Sequence, residues 1–312
     1  MRGRLHFILH PSAFILSSMS RLFKTKLRAA LVVVFVLFAA LIAWAFWLEP
    51  SSITVNRVSL SVPRWNDEQR GLKVAVLTDL HVGSPYIGLD KLRRVVARTN
   101  EERPDLILLL GDFVIGGRRD EGGAEGGVVG GTFVEPEPIA SELKNLSAPL
   151  GVYAVLGNHD WWFDGARVTR ALEGAGLVVL ENRAVRVERG GRGLWLAGVA
   201  DLWTRKPDIE GTLKQVNTDE PVILFTHNPD IFPDVPSRVS LTLAGHTHGG
   251  QVNLPLIGRP VVPSNFGQRY AFGHVVEGGR HLYVSGGVGT SIIPARFRVP
   301  PEIVILRLEG GG

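Results

Sequence analysis

Short apolar runs recur along the chain, and five of them end directly in polar residues. Runs of four or five residues rich in Val, Ile and Leu, each followed by a turn, are typical of buried strands. Because α/β sheets build their sites at the carboxyl ends of their strands, the polar residues after these runs are expected to meet. The five runs are Lys73–Leu77, Leu106–Leu110, Val152–Leu156, Val222–Phe225 and Leu241–Ala244.

Helical and turn-rich stretches separate these runs. Residues 89–102 place Leu92, Val95 and Val96 on one face, as in an amphipathic helix, and Pro104 follows the last turn. The alternation of short strands with such stretches favours an α/β or layered α+β domain.

The N-terminal part of the chain has a different pattern. Residues 29–48 contain no charged residue, and 20 helical residues span the roughly 30 Å apolar core of a bilayer. Trp44 and Trp47 lie towards the end of this stretch, where indole rings favour the membrane interface. We therefore predict a basic cytosolic segment at 1–28, a transmembrane signal anchor at 29–48, a linker with the first strand at 49–69, and a folded domain at 70–312.

The charges that flank the apolar stretch predict its orientation. Four basic residues lie between positions 21 and 28, whereas Glu49 and Pro50 follow the stretch. This asymmetry predicts a single-pass protein of the cell membrane with its folded domain on the non-cytosolic side. A signal peptide cleaved near Ala43–Ala45 is the alternative, and translation starting at Met19 rather than Met1 is also compatible with the sequence.

Composition narrows the chemistry. The 312 residues include no cysteine, which excludes a disulfide framework, a thiolate metal site and a cysteine nucleophile. Six basic and no acidic residues lie in residues 1–48, so the rest of the chain carries 28 basic and 30 acidic residues. The sequence pI near 9.6 therefore does not describe a basic domain, and we expect no long nucleic acid as partner.

The polar residues after the five runs are rich in metal ligands. Five of the nine histidines lie there, beside Asp and Asn side chains. Each motif alone is common in turns, but their conjunction predicts a metal site with nitrogen and oxygen ligands, suited to Mn, Fe, Zn or Mg. These residues are Asp79, His81, Asp112, Asn158, His159, Asp160, His227, His246 and His248.

The order of these motifs resembles that of the calcineurin-like metallophosphoesterases. The pattern D-x-H, G-D, G-N-H-D, a lone His and G-H-x-H is present in full, and the resemblance extends over about residues 70–308. Residues 245–251 and 286–291 are similar to the membrane-associated phosphodiesterase branch. The resemblance implies a four-layer sandwich, with two mixed β-sheets face to face and helices outside.

The resemblance also implies roles for the residues. It implies two divalent metal ions, with Mn favoured, bridged by Asp112. The ligands of one ion would be Asp79, His81 and His248, and those of the other Asn158, His227 and His246. The catalytic residues would be His159 and Asp160. His159 would donate a proton or contact the phosphate, and either Asp160 or Asp79 would orient it.

The reaction implied is hydrolysis of a phosphodiester or pyrophosphate bond by attack of metal-bound hydroxide. Relatives in this branch are associated with UDP-2,3-diacylglucosamine, a lipid A precursor, which suggests a lipid-linked substrate. That precursor is made on the cytosolic face. Either the helix is therefore not inserted as predicted, or the substrate is another one, such as an envelope diester.

Two other functions remain open from the sequence. One is a nucleotidase or nuclease of the same superfamily, although the net charge of the domain disfavours long nucleic acid. The other is a catalytically silent, metal-stabilised module that binds a partner at the membrane. Turnover of a generic diester would discriminate between an enzyme and such a module.

Some residues outside the motifs have two interpretations. Trp161 and Trp162 follow the third motif and would either line a substrate groove or pack in the core. Arg296 and Arg298 would either lie on a solvated surface or pair with a substrate phosphate. The glycine-rich residues 116–131 are expected to form a flexible surface loop.

Overall fold

The computed structural model describes residues 11–116 and 129–310, with side chains from residue 23 onward. The first ten residues of the predicted cytosolic segment and most of the glycine-rich loop lie outside the described residues. The chain divides into two compact units, Met1–Ala45 and Phe46–Gly312.

The first unit is dominated by one helix. Helix α1 spans Pro11–Ala43 and continues into a short π-helical turn at Trp44–Leu48. Phe23–Ser51 is the one helical stretch in the described residues that is long and apolar enough to cross a membrane. Because a signal sequence passes the same test, both predictions for this segment remain compatible with the helix.

In its described residues, the second unit contains five α-helices and twelve strands, several of them only two to four residues long. The helices are α2 Glu49–Ser51, α3 Leu89–Glu101, α4 Pro136–Leu143, α5 Asn158–Gly174 and α6 Ile209–Leu213. The strands are β1 Thr54–Val62, β2 Leu72–Leu77, β3 Leu106–Leu109, β4 Val152–Ala154, β5 Val178–Val179, β6 Arg183–Arg189, β7 Arg192–Gly198, β8 Val222–Phe225, β9 Leu241–Ala244, β10 Gly273–Glu277, β11 Arg280–Val284 and β12 Glu302–Gly310.

The strands form two mixed six-stranded sheets. The first has the order β1-β12-β2-β3-β4-β5, in which only the β12–β2 pair is antiparallel. The second has the order β10-β11-β9-β8-β7-β6, with antiparallel pairs at its two edges. Each sheet therefore contains a block of parallel strands whose carboxyl ends lie at one edge.

Three apolar clusters separate four layers. The sheets pack face to face through side chains such as Val74, Val76 and Ile223. The next residues along β2 point the other way, and Ala75 packs in the cluster that includes Leu92 of α3. A third cluster covers the outer face of the second sheet with α6 and a short 3-10 helix. The predicted sandwich of two mixed sheets flanked by helices is confirmed.

The five apolar runs coincide with strands β2, β3, β4, β8 and β9, and the predicted amphipathic helix is α3. The first three strands are parallel neighbours in one sheet, and the last two are parallel neighbours in the other. The packing of the two sheets brings the five carboxyl ends to one side of the domain.

Candidate metal centre

The backbone at the strand ends adopts unusual conformations. Five of the residues predicted as metal ligands have positive φ angles, between 41° and 68°. Such angles are uncommon for residues other than glycine, and they persist only where the surrounding structure enforces them. Strain of this kind concentrates at functional sites. The five residues are Asp79, His81, Asp112, His246 and His248.

Two glycines of the motifs permit the close approach of the loops that follow β3 and β4. Gly111 has a φ of 90°, and a Cβ on it would collide with the backbone of Gly157. A Cβ on Gly157 would in turn collide with Oδ1 of Asp112. Only glycine at both positions lets these loops pack together.

One group of predicted ligands comprises Asp79, His81 and His248. Oδ1 of Asp79 lies 3.4 Å from Nε2 of His248, and the Nε2 atoms of the two histidines are 3.1 Å apart. The other oxygen of Asp79, Oδ2, accepts hydrogen bonds from Oγ1 of Thr78 and from the backbone N–H of His246. These bonds fix the carboxylate with Oδ1 directed towards the histidines.

A second group comprises Asn158, His227 and His246. Nε2 of His227 lies 3.1 Å from Oδ1 of Asn158 and 3.2 Å from Nδ1 of His246. Nδ1 of His227 is 2.7 Å from the backbone carbonyl oxygen of Leu110. A proton on that nitrogen leaves the lone pair of Nε2 directed at its neighbours, as is usual for a metal-binding histidine.

Asp112 lies between the two groups. Its Oδ2 is 3.3 Å from Nε2 of His81 and 3.2 Å from Nε2 of His227, and its Oδ1 accepts a hydrogen bond from the backbone N–H of His159. The structure thus brings all seven predicted ligands together, three on each side of one carboxylate oxygen.

The donor atoms fit divalent cations. The atoms that face one another across the cluster are Oδ1 of Asp79, Oδ2 of Asp112 and one ring nitrogen each of His81, His227, His246 and His248. Among them, Oδ1 of Asp79 is buried without a hydrogen-bond partner, a cost that a bound cation would relieve. Three overlapping sets of ligand atoms lie within 4.8 Å of one another, Asp79/His81/His248, His81/Asp112/His159 and Asp79/Asp112/His227.

The electrostatics of the cluster favour neutral histidines on one side. Burial, and then the neighbouring His159, lower the pKa of His81 to about 3. Burial also lowers the pKa of His246 and of His248 well below its usual value. A neutral imidazole is the form that binds a metal.

His227 behaves differently. Burial lowers its pKa, but the carboxylates of Asp112 and Asp79 outweigh that effect and raise the pKa to about 10. A positive charge is therefore favoured next to Asp112, and in the cluster either a proton or a cation can supply it.

His159 and Asp160, the predicted catalytic pair, occupy different positions. The ring of His159 lies edge-on to that of His81, with 4.5 Å between their centroids, and its Nδ1 has no hydrogen-bond partner among the described residues. The carboxylate of Asp160 instead accepts backbone N–H bonds from Asp112, Phe113, Val114 and Gly157. These four donors saturate Asp160, so it holds the Asp112 loop, and no hydrogen bond joins it to His159 in the described structure.

With the geometry in place, the family follows from comparison with known proteins. A model of the calcineurin-like phosphoesterase family matches residues 72–250, more than half of the chain and the whole stretch that holds the ligand motifs. This chain belongs to the calcineurin-like phosphoesterase family. Members of this family are metal-dependent phosphoesterases, which agrees with the buried His and Asp cluster.

Similar proteins occur in bacteria and in animals. The chain is 32% identical over 275 residues to the uncharacterized metallophosphoesterase YkuE of Bacillus subtilis, which covers 85% of this chain and 89% of that protein. It is 33% identical over 258 residues to the phosphodiesterase YaeI of Escherichia coli, a match that covers 78% of this chain and 84% of that protein. It is 28% identical over 273 residues to a transmembrane protein with metallophosphoesterase domain of Danio rerio, a match that covers 81% of this chain and 56% of that protein.

Two tryptophans line the exposed side of the phosphoesterase centre. Trp162 lies 4.8 Å from His159 and Trp203 lies 4.2 Å from His246, measured between ring centroids. Their side chains are 42% and 47% exposed, so both rings reach solvent beside the ligands. Trp162 therefore lies at the exposed edge of the metal centre, whereas Trp161 is partly buried against the core, with Arg205 over its ring.

Sequence reasoning missed Trp203 and the turn that presents it. Strand β7 and the two residues after it form a sixth apolar run, which ends in Asp201. Oδ2 of Asp201 accepts hydrogen bonds from the backbone N–H groups of Trp203 and Thr204. The sequence did offer a signal for this turn, namely an Asp at the end of an apolar run. It was missed because no histidine lies nearby in the sequence.

Both interpretations of Arg296 are wrong. The side chain is fully buried, and it donates hydrogen bonds to backbone carbonyls of Gly286, Gly287, Gly289 and Val299. Arg296 thus holds the loop after β11 in place. Arg298 is exposed, as expected for a surface residue.

Proposed function

We propose that this chain is a membrane-anchored, dinuclear-metal phosphodiesterase. The observation that carries the proposal is the arrangement of two three-residue donor groups on either side of Oδ2 of Asp112, with 3.3 Å to His81 and 3.2 Å to His227. A single shared carboxylate oxygen is the usual way to hold two ions close together.

In this proposal one ion would be held by Asp79, His81 and His248 and the other by Asn158, His227 and His246. Manganese is the favoured metal, and Fe, Zn and Mg suit the same donors. When bound, two such ions activate water and offset the negative charge of a phosphate.

The surrounding residues have defined tasks. His159 supplies a proton to the leaving oxygen or contacts the phosphate, since its ring borders the ligand His81 and it carries an unpartnered Nδ1. Asp160 acts indirectly, because it fixes the backbone that carries Asp112. Trp162 and Trp203 orient the part of the substrate that extends from the metal centre.

A phosphodiester or pyrophosphate with a lipid-linked part is the proposed substrate. The similar protein YaeI is named a phosphodiesterase, and the apolar helix would keep the site close to a bilayer. UDP-2,3-diacylglucosamine is the specific candidate if the domain faces the cytosol. An envelope diester replaces it if the positive-inside orientation holds and the domain lies outside.

A substrate panel tests this proposal. The full chain in detergent, loaded with Mn²⁺, would be assayed with bis(p-nitrophenyl) phosphate, p-nitrophenyl phosphate and UDP-2,3-diacylglucosamine in mixed micelles. We expect the diester to be cleaved faster than the monoester, and His159→Asn to lower kcat by roughly 100-fold or more. Cleavage of the monoester alone, or equal turnover by His159→Asn, would contradict the proposal.

A further inference from the structure

An exposed apolar hairpin follows the last ligand motif. The backbones of Leu254 and Gly258 exchange two hydrogen bonds of 2.7 and 2.9 Å, which close a tight turn with Pro255, Leu256 and Ile257 at its tip. Leu256 is fully exposed and Ile257 is 65% exposed. Leu256 also has a positive φ of 67°, so the backbone is held in a costly conformation that displays an apolar side chain.

A second loop repeats this feature. Ile292 is 65% exposed with a φ of 62°, and Ile293 beside it is also exposed. A positive φ is a genuine outlier for a β-branched residue. Both loops have a strained backbone at the residue that exposes Leu or Ile to solvent. Folding alone does not explain this, because an apolar side chain exposed to water does not stabilise the folded state.

Hydrogen bonds join the two loops side by side. The amide of Gln251 donates to the carbonyl of Ile293 and accepts from the N–H of Ser291, and the backbone of Phe297 bonds both Gln251 and Asn253. The five exposed apolar residues of these loops are called the apolar rim: Leu256, Ile257, Val261, Ile292 and Ile293.

The apolar rim borders the metal centre. Nε of Arg259 donates to the carbonyl of Gly249, directly after His248, and a Cβ on Gly250 would lie 2.9 Å from the carbonyl oxygen of Val261. The hairpin therefore packs against the motif that supplies two of the predicted ligands.

Charge around the rim suits an anionic surface. Residues 251–276 and 278–301 contain no Asp or Glu, and they include Arg259 and the exposed Arg298. A loop pair with apolar tips and only basic charges is the composition of a surface that contacts anionic lipids.

The chain enters the domain next to the same loops. Oε1 of Glu49 accepts a hydrogen bond of 2.6 Å from the N–H of Val299, and Nζ of Lys91 donates to the carbonyl of Pro50 at 2.7 Å. The end of the apolar stretch Phe23–Ser51 is thereby bonded to Val299, which lies on the same loop as Ile292 and Ile293. Residue 49 directly follows the predicted anchor at 29–48, so this loop contacts the point of the chain at which the folded domain begins.

We propose that the apolar rim docks into the surface of the anionic bilayer that holds the anchor, so that the mouth of the metal centre faces the lipid headgroups. This inference rests on the membrane anchoring proposed above. The occupant of the rim is lipid, because both the anchor and the absence of Asp and Glu from residues 251–276 and 278–301 point to it.

Single labelled cysteines test the docking without using activity. Since the chain has no cysteine, Leu256→Cys, Ile292→Cys and the control Asn217→Cys each carry one fluorophore. Asn217 is exposed in the loop before β8, at the end of the sheet remote from the ligand motifs. The full chain is reconstituted in nanodiscs of phosphatidylcholine and phosphatidylglycerol, and quenching by acyl-brominated lipid is measured.

We expect quenching at positions 256 and 292 to be several-fold stronger than at 217, and Ile257→Asp to weaken it at 292. Equal quenching at all three positions in chains retained by the nanodiscs would overturn the docking but not the anchoring. Chains that fail to enter nanodiscs would overturn both. Labels protected from aqueous iodide yet not quenched by lipid would indicate a protein partner and also overturn the docking.

Discussion

At the scale of single residues, the centre depends on carboxylates that have different partners. Asp112 and Asp79 direct one oxygen each towards histidine nitrogens, whereas both oxygens of Asp160 accept only backbone N–H bonds. Buried acceptors that satisfy several donors are expensive to replace, even by a residue of the same size. The three aspartates are therefore not equivalent, although all lie in ligand motifs.

Asp160→Asn is expected to destabilise the loop that carries Asp112. In the variant, the side-chain NH2 group would replace one oxygen and face backbone N–H groups that need an acceptor. The lost hydrogen bonds would cost about 1–3 kcal/mol in the free energy of unfolding. Calorimetry of the metal-free chain would measure the change. Asp67→Asn is the control, since Asp67 lies on the surface in a loose pair with Arg70. Equal stability of both variants and the parent would refute the positioning role.

Arg296→Met is expected to lower the unfolding temperature through the loop after β11. Its loss leaves several buried carbonyls without a donor, which costs about 2–4 kcal/mol, and therefore roughly 5–15 °C. Arg298→Met, two positions along and exposed, is the matched control, with an expected change within about 0.5 kcal/mol. Thermal melts followed by circular dichroism would separate the two, and similar melting temperatures would contradict the assignment.

The sequence indicated the ligand residues well, because each follows an apolar run and is His, Asp or Asn. It did not indicate the burial of Arg296, because an arginine that bonds only backbone carbonyls has no partner residue to find in the sequence. The role of Asp160 was likewise hidden, since backbone donors have no sequence signature. The assignment of the ligand roles came from the family resemblance rather than from spacing.

At the scale of elements, the turn after β7 adds an aromatic side chain to the exposed edge of the metal centre. Asp201 bonds the backbone of Trp203 and presents its ring to His246. The pattern of short parallel strands predicted the site edge, because β2, β3, β4, β8 and β9 are continuous apolar runs. Edge elements such as β5, with two residues, and the exposed β10 lack such runs, so the pairing into two sheets came from the resemblance alone.

Trp203→Ala is expected to weaken binding of a diester rather than its turnover. Loss of one aromatic contact costs about 0.5–1.5 kcal/mol, so KM would rise roughly 2- to 10-fold while kcat changes little. Trp203→Phe is the control and should retain most of the affinity. A fall in kcat at unchanged KM would contradict a binding role, and would assign the ring to the positioning of His246.

At the scale of the whole molecule, metal binding and folding are linked. The donor atoms that face one another in the metal centre follow strands of both sheets, so ions held there would tie the two sheets together. A ligand that binds only the folded state stabilises it in proportion to the logarithm of its concentration. The apolar helix belongs to a separate compact unit, so this effect is expected to be confined to residues 46–312.

Metal removal is therefore expected to lower thermal stability. Mn²⁺ at about 100 times its dissociation constant would add about 2.7 kcal/mol relative to chelated protein. For a domain of this size that raises the unfolding temperature by roughly 5–10 °C. A scan with chelator, then with Mn²⁺, would measure the shift. Equal melting temperatures in both conditions would show that the buried donors do not bind the ion.

The most direct test of a shared dinuclear centre is hydrolysis of bis(p-nitrophenyl) phosphate by the chelator-treated full chain, before and after addition of Mn²⁺. We predict that activity returns with the metal, and that Asp112→Asn lowers it by roughly 100-fold or more because both donor groups lose their common oxygen. Asp67→Asn should behave as the parent. A chain that cleaves the diester without metal, or an Asp112→Asn variant with parental activity, would contradict the account.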